Sequence, residues 1–216
     1  MVNAASFAPP GNPIAPGQFI SLYGTGLAKS TQAGTPPYPA TLNGVTVLIN
    51  NKAAPLHFVS AGQINALVPY STTGTSATIV VQNSGASSNT VTVPLAATAP
   101  GVYSLDGTGS GGGSILHADF GLVTAARPAA PGETVLVYLT GMGAVNPPVA
   151  DGTSGSAGQL YRAASEATVL VGRKQATVAY NGLAPGFPGL YQLNVTLPSF
   201  LAASGNLPLA IQTSNA

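Results

Sequence analysis

The chain repeats itself, and no other feature limits its possible folds so strongly. Ala15-Pro16-Gly17-Gln18-Phe19-Ile20-Ser21-Leu22-Tyr23-Gly24-Thr25-Gly26 returns 115 residues later as Ala130-Pro131-Gly132-Glu133-Thr134-Val135-Leu136-Val137-Tyr138-Leu139-Thr140-Gly141, with Ala, Pro, Gly, Tyr, Thr and Gly kept in place. Further on, Gln63-Ile64-Asn65-Ala66-Leu67-Val68-Pro69 returns as Gln192-Leu193-Asn194-Val195-Thr196-Leu197-Pro198. Between these anchors, Val45-Thr46-Val47-Leu48-Ile49 answers to Ala167-Thr168-Val169-Leu170-Val171. Three blocks in one order make the 216 residues a duplication of units of about 100 residues, a common domain size.

Each unit reads as β. Val45, Val47 and Ile49 alternate with Thr46 and Leu48; Ala77, Ile79 and Val81 alternate with Thr78 and Val80; Val91 and Val93 flank Thr92. Turn signals separate the runs at Pro16-Gly17, Asn50-Asn51, Thr72-Thr73-Gly74 and Asn83-Ser84-Gly85. The stretch from Thr124 to Ala130 could pass for helix, but Pro128 breaks it and Pro131 stops it. Many short strands per unit predict an all-β chain of two tandem immunoglobulin-like β-sandwiches, residues 1–104 and 115–216. Leu105-Asp106-Gly107-Thr108-Gly109-Ser110-Gly111-Gly112-Gly113-Ser114 has little to pack, so 105–114, the boundary between the units, is expected to be a flexible Gly/Ser-rich connector or loop.

Repeated registers place Tyr23 over Tyr138 and Asn65 over Asn194. Lying within apolar runs, both tyrosines are expected to be buried with bonded hydroxyls. The second unit is expected to lack its last strand. After Val81-Gln82 the first unit turns into residues 89–95, whereas Ile211-Gln212 is followed only by Thr213-Ser214-Asn215-Ala216. The edge so exposed is either the boundary of a piece of a longer protein, the favoured reading, or is filled in trans by residues 2–7 of a neighbour. Strand-mediated self-association is therefore one partner expectation.

The order Pro-Gly-x-x-apolar-x-apolar-Tyr-x-Thr-Gly, then a Val-x-Val strand and hairpin, then a Pro-ended strand and a Val-rich strand, resembles the IPT/TIG immunoglobulin-like module. Asn3-Ala4-Ala5-Ser6-Phe7, Ala99-Pro100-Gly101-Val102-Tyr103, Thr140-Gly141-Met142-Gly143 and Gly189-Leu190-Tyr191-Gln192-Leu193-Asn194 occur in this order in a second group. They resemble the C-terminal domain, of unassigned function, abundant in Solibacter-type soil acidobacteria, and that match spans nearly the whole chain. This resemblance implies an extracellular or cell-surface location at the C-terminal end of long secreted proteins. It brings no reaction and no functional residues. Such modules run on past Ser-Asn into a further Val/Thr strand, which this chain does not contain.

Composition narrows the function classes. Charged residues are only 5% against roughly 25% on average, while hydrophobic residues reach 45%. Hydroxyls and amides must therefore cover the outward strand positions, a habit of secreted β proteins. Gly and Pro number 27 and 19, too few for a low-complexity chain, and serve as turn punctuation. A net charge of +1, with basic residues scattered apart from Arg173-Lys174, gives nucleic acid no electrostatic footing. With no cysteine there are no disulfides and no thiol chemistry. No apolar run approaches the roughly 18–20 residues of a membrane span. Met1-Val2-Asn3-Ala4-Ala5 has neither the basic start nor the apolar core of a secretory leader, so an exported parent protein would have to be longer.

Candidate chemistry is sparse, and the expected catalytic, cofactor and metal residues are none. His57 and His117 each stand alone in or beside strand patterns, and read as surface or core histidines before ligands. Gly152-Thr153-Ser154-Gly155-Ser156 and Gly109-Ser110-Gly111 miss the nucleophile-elbow spacing. Asp106, Asp119, Glu133, Asp151 and Glu166 never fall within four positions of one another, which disfavours both a carboxylate pair and a clustered calcium loop. Asp106 among its glycines is the one ion candidate, and a flexible loop is the plainer reading. A Lys–Asn crosslink would need a buried lysine beside an acid, whereas Lys29 and Lys52 sit in loop and turn signals.

Gln63 with Asn65, and Gln192 with Asn194, each project two amides from one strand face. They read as a sugar-facing ladder or, the preferred reading, as amides pinning a neighbouring loop. Tyr38, Tyr70 and Phe187, each beside a proline, could stack on a ligand or anchor loops. The expected function is a non-enzymatic extracellular interaction, adhesion or spacer module, with a protein or polysaccharide partner at the cell exterior. A carbohydrate-binding accessory domain is the alternative, and an enzyme of unfamiliar type ranks last.

Overall fold

The computed structural model describes residues 1–156, 158–201 and 205–214, and among these every regular element is a strand. In the first unit one sheet orders β1 (Val2–Asn3), β2 (Phe19–Tyr23), β7 (Gln63–Leu67), β6 (Leu56–Val59) and β3 (Gln32–Ala33) as β1-β2-β7-β6-β3. The facing sheet runs β10 (Val91–Pro94), β8 (Ser76–Asn83), β4 (Val45–Ile49) and β5 (Lys52–Ala53), with β9 (Ala86–Ser87) folded onto β8. The expected alternation fills the space between them. Val45, Val47 and Ile49 are buried together with Ile20, Leu22, Ile64 and Ala66, while Thr46 and Leu48 face outward. Each such buried Val, Leu or Ile side chain contributes about 1.5–3 kcal/mol.

The second unit repeats the plan around one long strand. Its sheet runs β11 (Gly101–Val102), β13 (Thr134–Thr140), β18 (Tyr191–Thr196), β17 (Lys174–Leu183), β15 (Arg162–Ala163) and β14 (Val145–Asn146), with β12 (Ile115–Leu116) beside β13. The first residues of β17 pair with β16 (Ala167–Val171), which also pairs with β19 (Leu209–Thr213). Thus β17 crosses between the two layers and does alone what β5 and β6 do in the first unit.

Registers coincide between the copies. Phe19 faces Leu67 as Thr134 faces Thr196, and Tyr23 faces Gln63 as Tyr138 faces Gln192. Even the irregularity is duplicated: β6 bulges between Leu56 and Phe58, and β17 between Val178 and Tyr180, each against the matching residues of β7 and β18. Both Pro-Gly turns close alike. The Gln18 amide donates to the Ala15 carbonyl at 3.2 Å and the Glu133 amide to the Ala130 carbonyl at 3.1 Å, with Gly17 and Gly132 at φ of 70° and 80°. A turn with proline second and a positive-φ residue third needs glycine there. The fourth side chain then reaches back: Gln18 Oε1 accepts the Ala15 N–H at 2.7 Å, and Glu133 Oε2 the Ala130 N–H at 2.8 Å.

Residues 105–114 are not a connector. Gly101 and Val102 already pair with Thr140 and Leu139, so the second unit begins before them. The Leu105 N–H bonds to the Gly112 carbonyl at 2.9 Å, and the segment closes a hairpin between β11 and β12, which share one edge of β13. Its glycines supply positive φ at 107, 109 and 111 rather than slack. The passage between units is the short run 97–100, pressed onto the second unit where the Ala99 N–H bonds to the Gly141 carbonyl at 2.8 Å. Residues 2–7 are committed within their own chain: Val2 and Asn3 pair with Ser21 and Ile20, and Asn3 Oδ1 accepts the amides of Ala5 and Ser6. They are therefore not a free donor strand. Among the described residues β19 pairs with β16 alone, whereas its counterpart β8 also carries β10.

The two units are locked at this passage. Thr140, with no exposure, accepts the Phe19 N–H at 2.9 Å and donates to the Gly189 carbonyl at 3.0 Å. Loop bonds flank it: Tyr38 N–H to the Gly152 carbonyl at 2.8 Å, and Tyr70 N–H to Asp151 Oδ1 at 2.7 Å. Tyr191, fully buried, donates its hydroxyl to the Gly143 carbonyl, and that hydroxyl lies 3.4 Å from the Tyr70 hydroxyl. Burial pushes the Tyr70 hydroxyl up to about 12, helped by the Asp151 carboxylate, and holds that of Tyr191 well above its ordinary value.

Two expectations follow from the junction. Gly141 has a φ of 85° and a Cβ there would run into the Ala99 carbonyl, whereas Gly132, at 80°, has nothing within 4 Å. In denaturant titration Gly132→Ala costs about 1 kcal/mol of backbone strain, and Gly141→Ala at least twice that; equal losses would mean the passage is not pressed onto β13. Raised phenol values give stability that is whole below pH 10 and drains away as pH rises towards 12. Tyr70→Phe is expected to flatten that alkaline decline in a series of unfolding midpoints.

Candidate functional site

Side-chain parity along the repeated strands decides which face each residue shows. Ile20 and Leu22 point into the first core and Val135, Val137 and Leu139 into the second, so Tyr23 and Tyr138 face outward. Tyr23 is 50% exposed and Tyr138 half-buried, and among the described residues neither hydroxyl bonds to protein. The expectation of two buried, bonded tyrosines is overturned because it treated the apolar run as a whole instead of counting alternate positions.

The amide pairs stand beside them. Gln63 Nε2 donates to Asn65 Oδ1 at 2.8 Å, and Gln192 Nε2 to Asn194 Oδ1 at 2.6 Å. Asn65 Oδ1 also accepts the Ser21 hydroxyl at 3.0 Å. Among the described residues these amides bond to one another along the strand and, for Asn65, to Ser21 of β2, but to no neighbouring loop, contrary to the preferred reading. Across β7 and β18 from the tyrosines, the bulges bring up a second ring: Phe58 faces Asn65, and Tyr180 faces Asn194. Each unit therefore presents an aromatic, two linked amides and another aromatic, as Tyr23–Gln63–Asn65–Phe58 and as Tyr138–Gln192–Asn194–Tyr180. The two rings lie on strands two apart, about 10 Å across the sheet. In the second unit the Arg162 guanidinium stacks on Tyr180, 5.3 Å from its centroid, adding a cation to the rim. Flat rings beside amide donors and acceptors can hold a ligand that has both an apolar face and hydroxyls.

Phe58 and Tyr180 escaped the sequence reading. The spacing that carries Val45 onto Ala167 also carries Phe58 onto Tyr180, so the offset held the signal. Their facing did not follow from it, because each bulge inserts one residue and reverses parity.

Most of the remaining candidates are held by their own surroundings. His57 forms a cluster with Phe19 and Tyr38, ring centroids 5.2–6.0 Å apart and edge to face, and burial lowers its basicity. Tyr38 and Tyr70 anchor loops at the junction, while Phe187 is 60% exposed. Asp106 accepts the Thr108 amide and hydroxyl at 3.0 and 2.8 Å, which hold its carboxyl below the usual range and tie it to its own turn. Asp119 pairs with Arg127 on the surface at 2.7 Å, and Asp151 caps the Tyr70 amide. Lys52 donates to the Ser71 carbonyl at 2.7 Å. Among the described residues no three His, Asp or Glu side chains gather as a metal-binding group. Among the same residues no helix is long and apolar enough to cross a membrane.

His117 is buried, its Nδ1 against Glu133 Oε1 and its Nε2 3.2 Å from the Arg127 carbonyl oxygen. The contact with His117 and the Ala130 N–H hold the Glu133 carboxyl below its ordinary 4.5. The stability Glu133 supplies is thus present above pH 4.5 and falls as acid protonates it. Glu133→Gln keeps the turn bond, as Gln18 does in the first unit, and removes the carboxylate. Urea midpoints measured from pH 6 to pH 3 are expected to fall less steeply in the variant; an unchanged acid slope would remove Glu133 from the account.

Neither the curated proteins nor the solved structures yielded a match to this chain. Residues 4–96 match the family model of the IPT/TIG domain, immunoglobulin-like modules commonly used for adhesion, spacing and protein interaction and generally without catalysis. The first unit is thus similar to that module in sequence as in fold, and the second repeats its registers, bulge included.

Proposed function

We propose that the chain is a non-enzymatic interaction and spacer module belonging to a larger secreted or surface protein, of the kind found at the C-terminal end of Solibacter-type proteins. The observation that carries the reading is the lock between the units. The four segments that carry that resemblance meet there: Asn3 donates to the Ala99 carbonyl at 3.3 Å, Ala99 bonds to Gly141, and Thr140 bonds to Gly189. A junction without slack makes two sandwiches one stiff body that fixes the spacing of whatever it joins or displays. A chain with only 5% charged residues, whose outward strand positions carry hydroxyls and amides, suits an exterior setting.

A second reading has its own support in the duplicated aromatic–amide array, which favours a polysaccharide as the ligand of the outer faces. Pull-down on insoluble polysaccharides separates the two readings. If the array binds glycans, the full chain is retained and Tyr138→Ala with Tyr180→Ala loses at least tenfold in retention. No retention on any polysaccharide leaves protein interaction and spacing. Turnover of any substrate in a broad hydrolase screen, abolished by a point variant of this chain, would sink the non-enzymatic reading.

A further inference from the structure

One connection is much shorter in the second copy than in the first. Eleven residues, 34–44, join β3 to β4, but only three, 164–166, join β15 to β16. In the first unit those residues cover the outer edge of β6: the Gly34 N–H bonds to the His57 carbonyl and the Leu56 N–H to the Pro39 carbonyl, both at 2.8 Å. Beyond them, Gln32 and Ala33 pair with Val59 and Phe58. In the second unit β15 meets β17 only at Arg162 and Gly182, and β16 only as far as Ala176. Among the described residues no strand pairs with the edge between.

An open groove of about 770 Å³ follows that edge, with Arg162, Ser165, Glu166, Gln175, Thr177 and Asn181 among its walls. Its size is that of ligand sites, roughly 300–1,000 Å³. The matched positions record the missing cover. Leu56 and Val59 are fully buried, whereas Val178 and Asn181 are only partly so, and Ala179 is exposed where His57 is half-buried. Asn181 holds the place of a core valine; it donates to the Ser165 carbonyl at 2.8 Å, but its Oδ1 is buried without a partner. An uncovered strand edge with an unpaired acceptor beside it is an arrangement that strand addition completes.

We infer that this groove receives an extended, uncharged, Gly- and Pro-bearing polypeptide segment, which pairs its backbone with Val178 and Ala179. The occupant's chemistry is read from the first unit, where such a segment sits on the same edge. Gly34 is required there because a Cβ would strike the Leu56 carbonyl. One arginine and one glutamate leave the walls without net charge, which matches an uncharged segment. The inference names a partner class for the interaction reading. Its failure is read at the groove amides, and failure of that reading as turnover, so the two are distinguishable.

The probe is the peptide of residues 32–39, Gln32-Ala33-Gly34-Thr35-Pro36-Pro37-Tyr38-Pro39, added to the isotopically labelled full chain. Shifts are expected to be confined to residues 162–167 and 175–182, with exchange of the Val178 amide slowed at least about tenfold at saturation. The same peptide N-methylated at Gly34 lacks the donor to Ala179 and is expected to lose most of the response. No change at these amides with millimolar peptide, or an equal response to the N-methylated form, overturns the inference.

Discussion

A threonine hydroxyl closed off from water sits between the two sandwiches, accepting an amide proton from Phe19 of the first and giving its own to Gly189 of the second. Both bonds are needed, because a buried hydroxyl left with one unmade carries a cost of about 1–3 kcal/mol. The rest of the junction is arranged so that both can form. Gly141 and Gly143 allow the chain from 97 to 100 to lie against β13, and Gly189 lies directly over Phe19 and Leu67. Tyr70 and Tyr191 fill the flank with rings whose hydroxyls burial holds above the ordinary phenol range. Duplication alone would give two beads; this packing gives one body.

The same Thr-Gly pair does different work in the two copies. Thr140-Gly141 is a joint, whereas Thr25-Gly26, its partner by repeat, lies in an exposed turn at the far end of the first unit. A tandem pair needs one joint, so only the copy that meets its neighbour has its hydroxyl enclosed. The position occupied by Gln18 and Glu133 diverges in a similar way. Either side chain closes the turn, but only the carboxylate has a second oxygen suited to His117, while Gln18 Nε2 is left buried and unpaired.

Much of the fold was legible in the residues. The offset between Tyr23 and Tyr138 and that between Asn65 and Asn194 placed strands whose paired registers agree, because a one-residue slip would turn every core valine outward. What could not be read depends on contacts between distant segments. The glycines of 105–114 look like slack, and only the edge of β13 shows them to be a hairpin. Tyr23 and Tyr138 sit in apolar runs, so hydrophobicity suggested burial where alternation dictates the outer face. Phe58 and Tyr180 reach that face because a bulge spends one residue, and a bulge leaves no mark that propensity can see.

Where the copies agree they build framework, and where they part they build surface. The strands, turns and bulges that coincide hold cores together and have little freedom to change. Connection lengths are free to vary, since surface loops tolerate insertion and loss at little thermodynamic cost. Shortening one connection leaves β17 folded, because β18 and β16 still pair with it over most of its length. It strips only the cover from the opposite edge and exchanges a sealed valine for an asparagine. A duplicated sandwich can in this way gain a docking edge without touching its core, since the partner that edge requires is already present in the sister unit as part of its own fold.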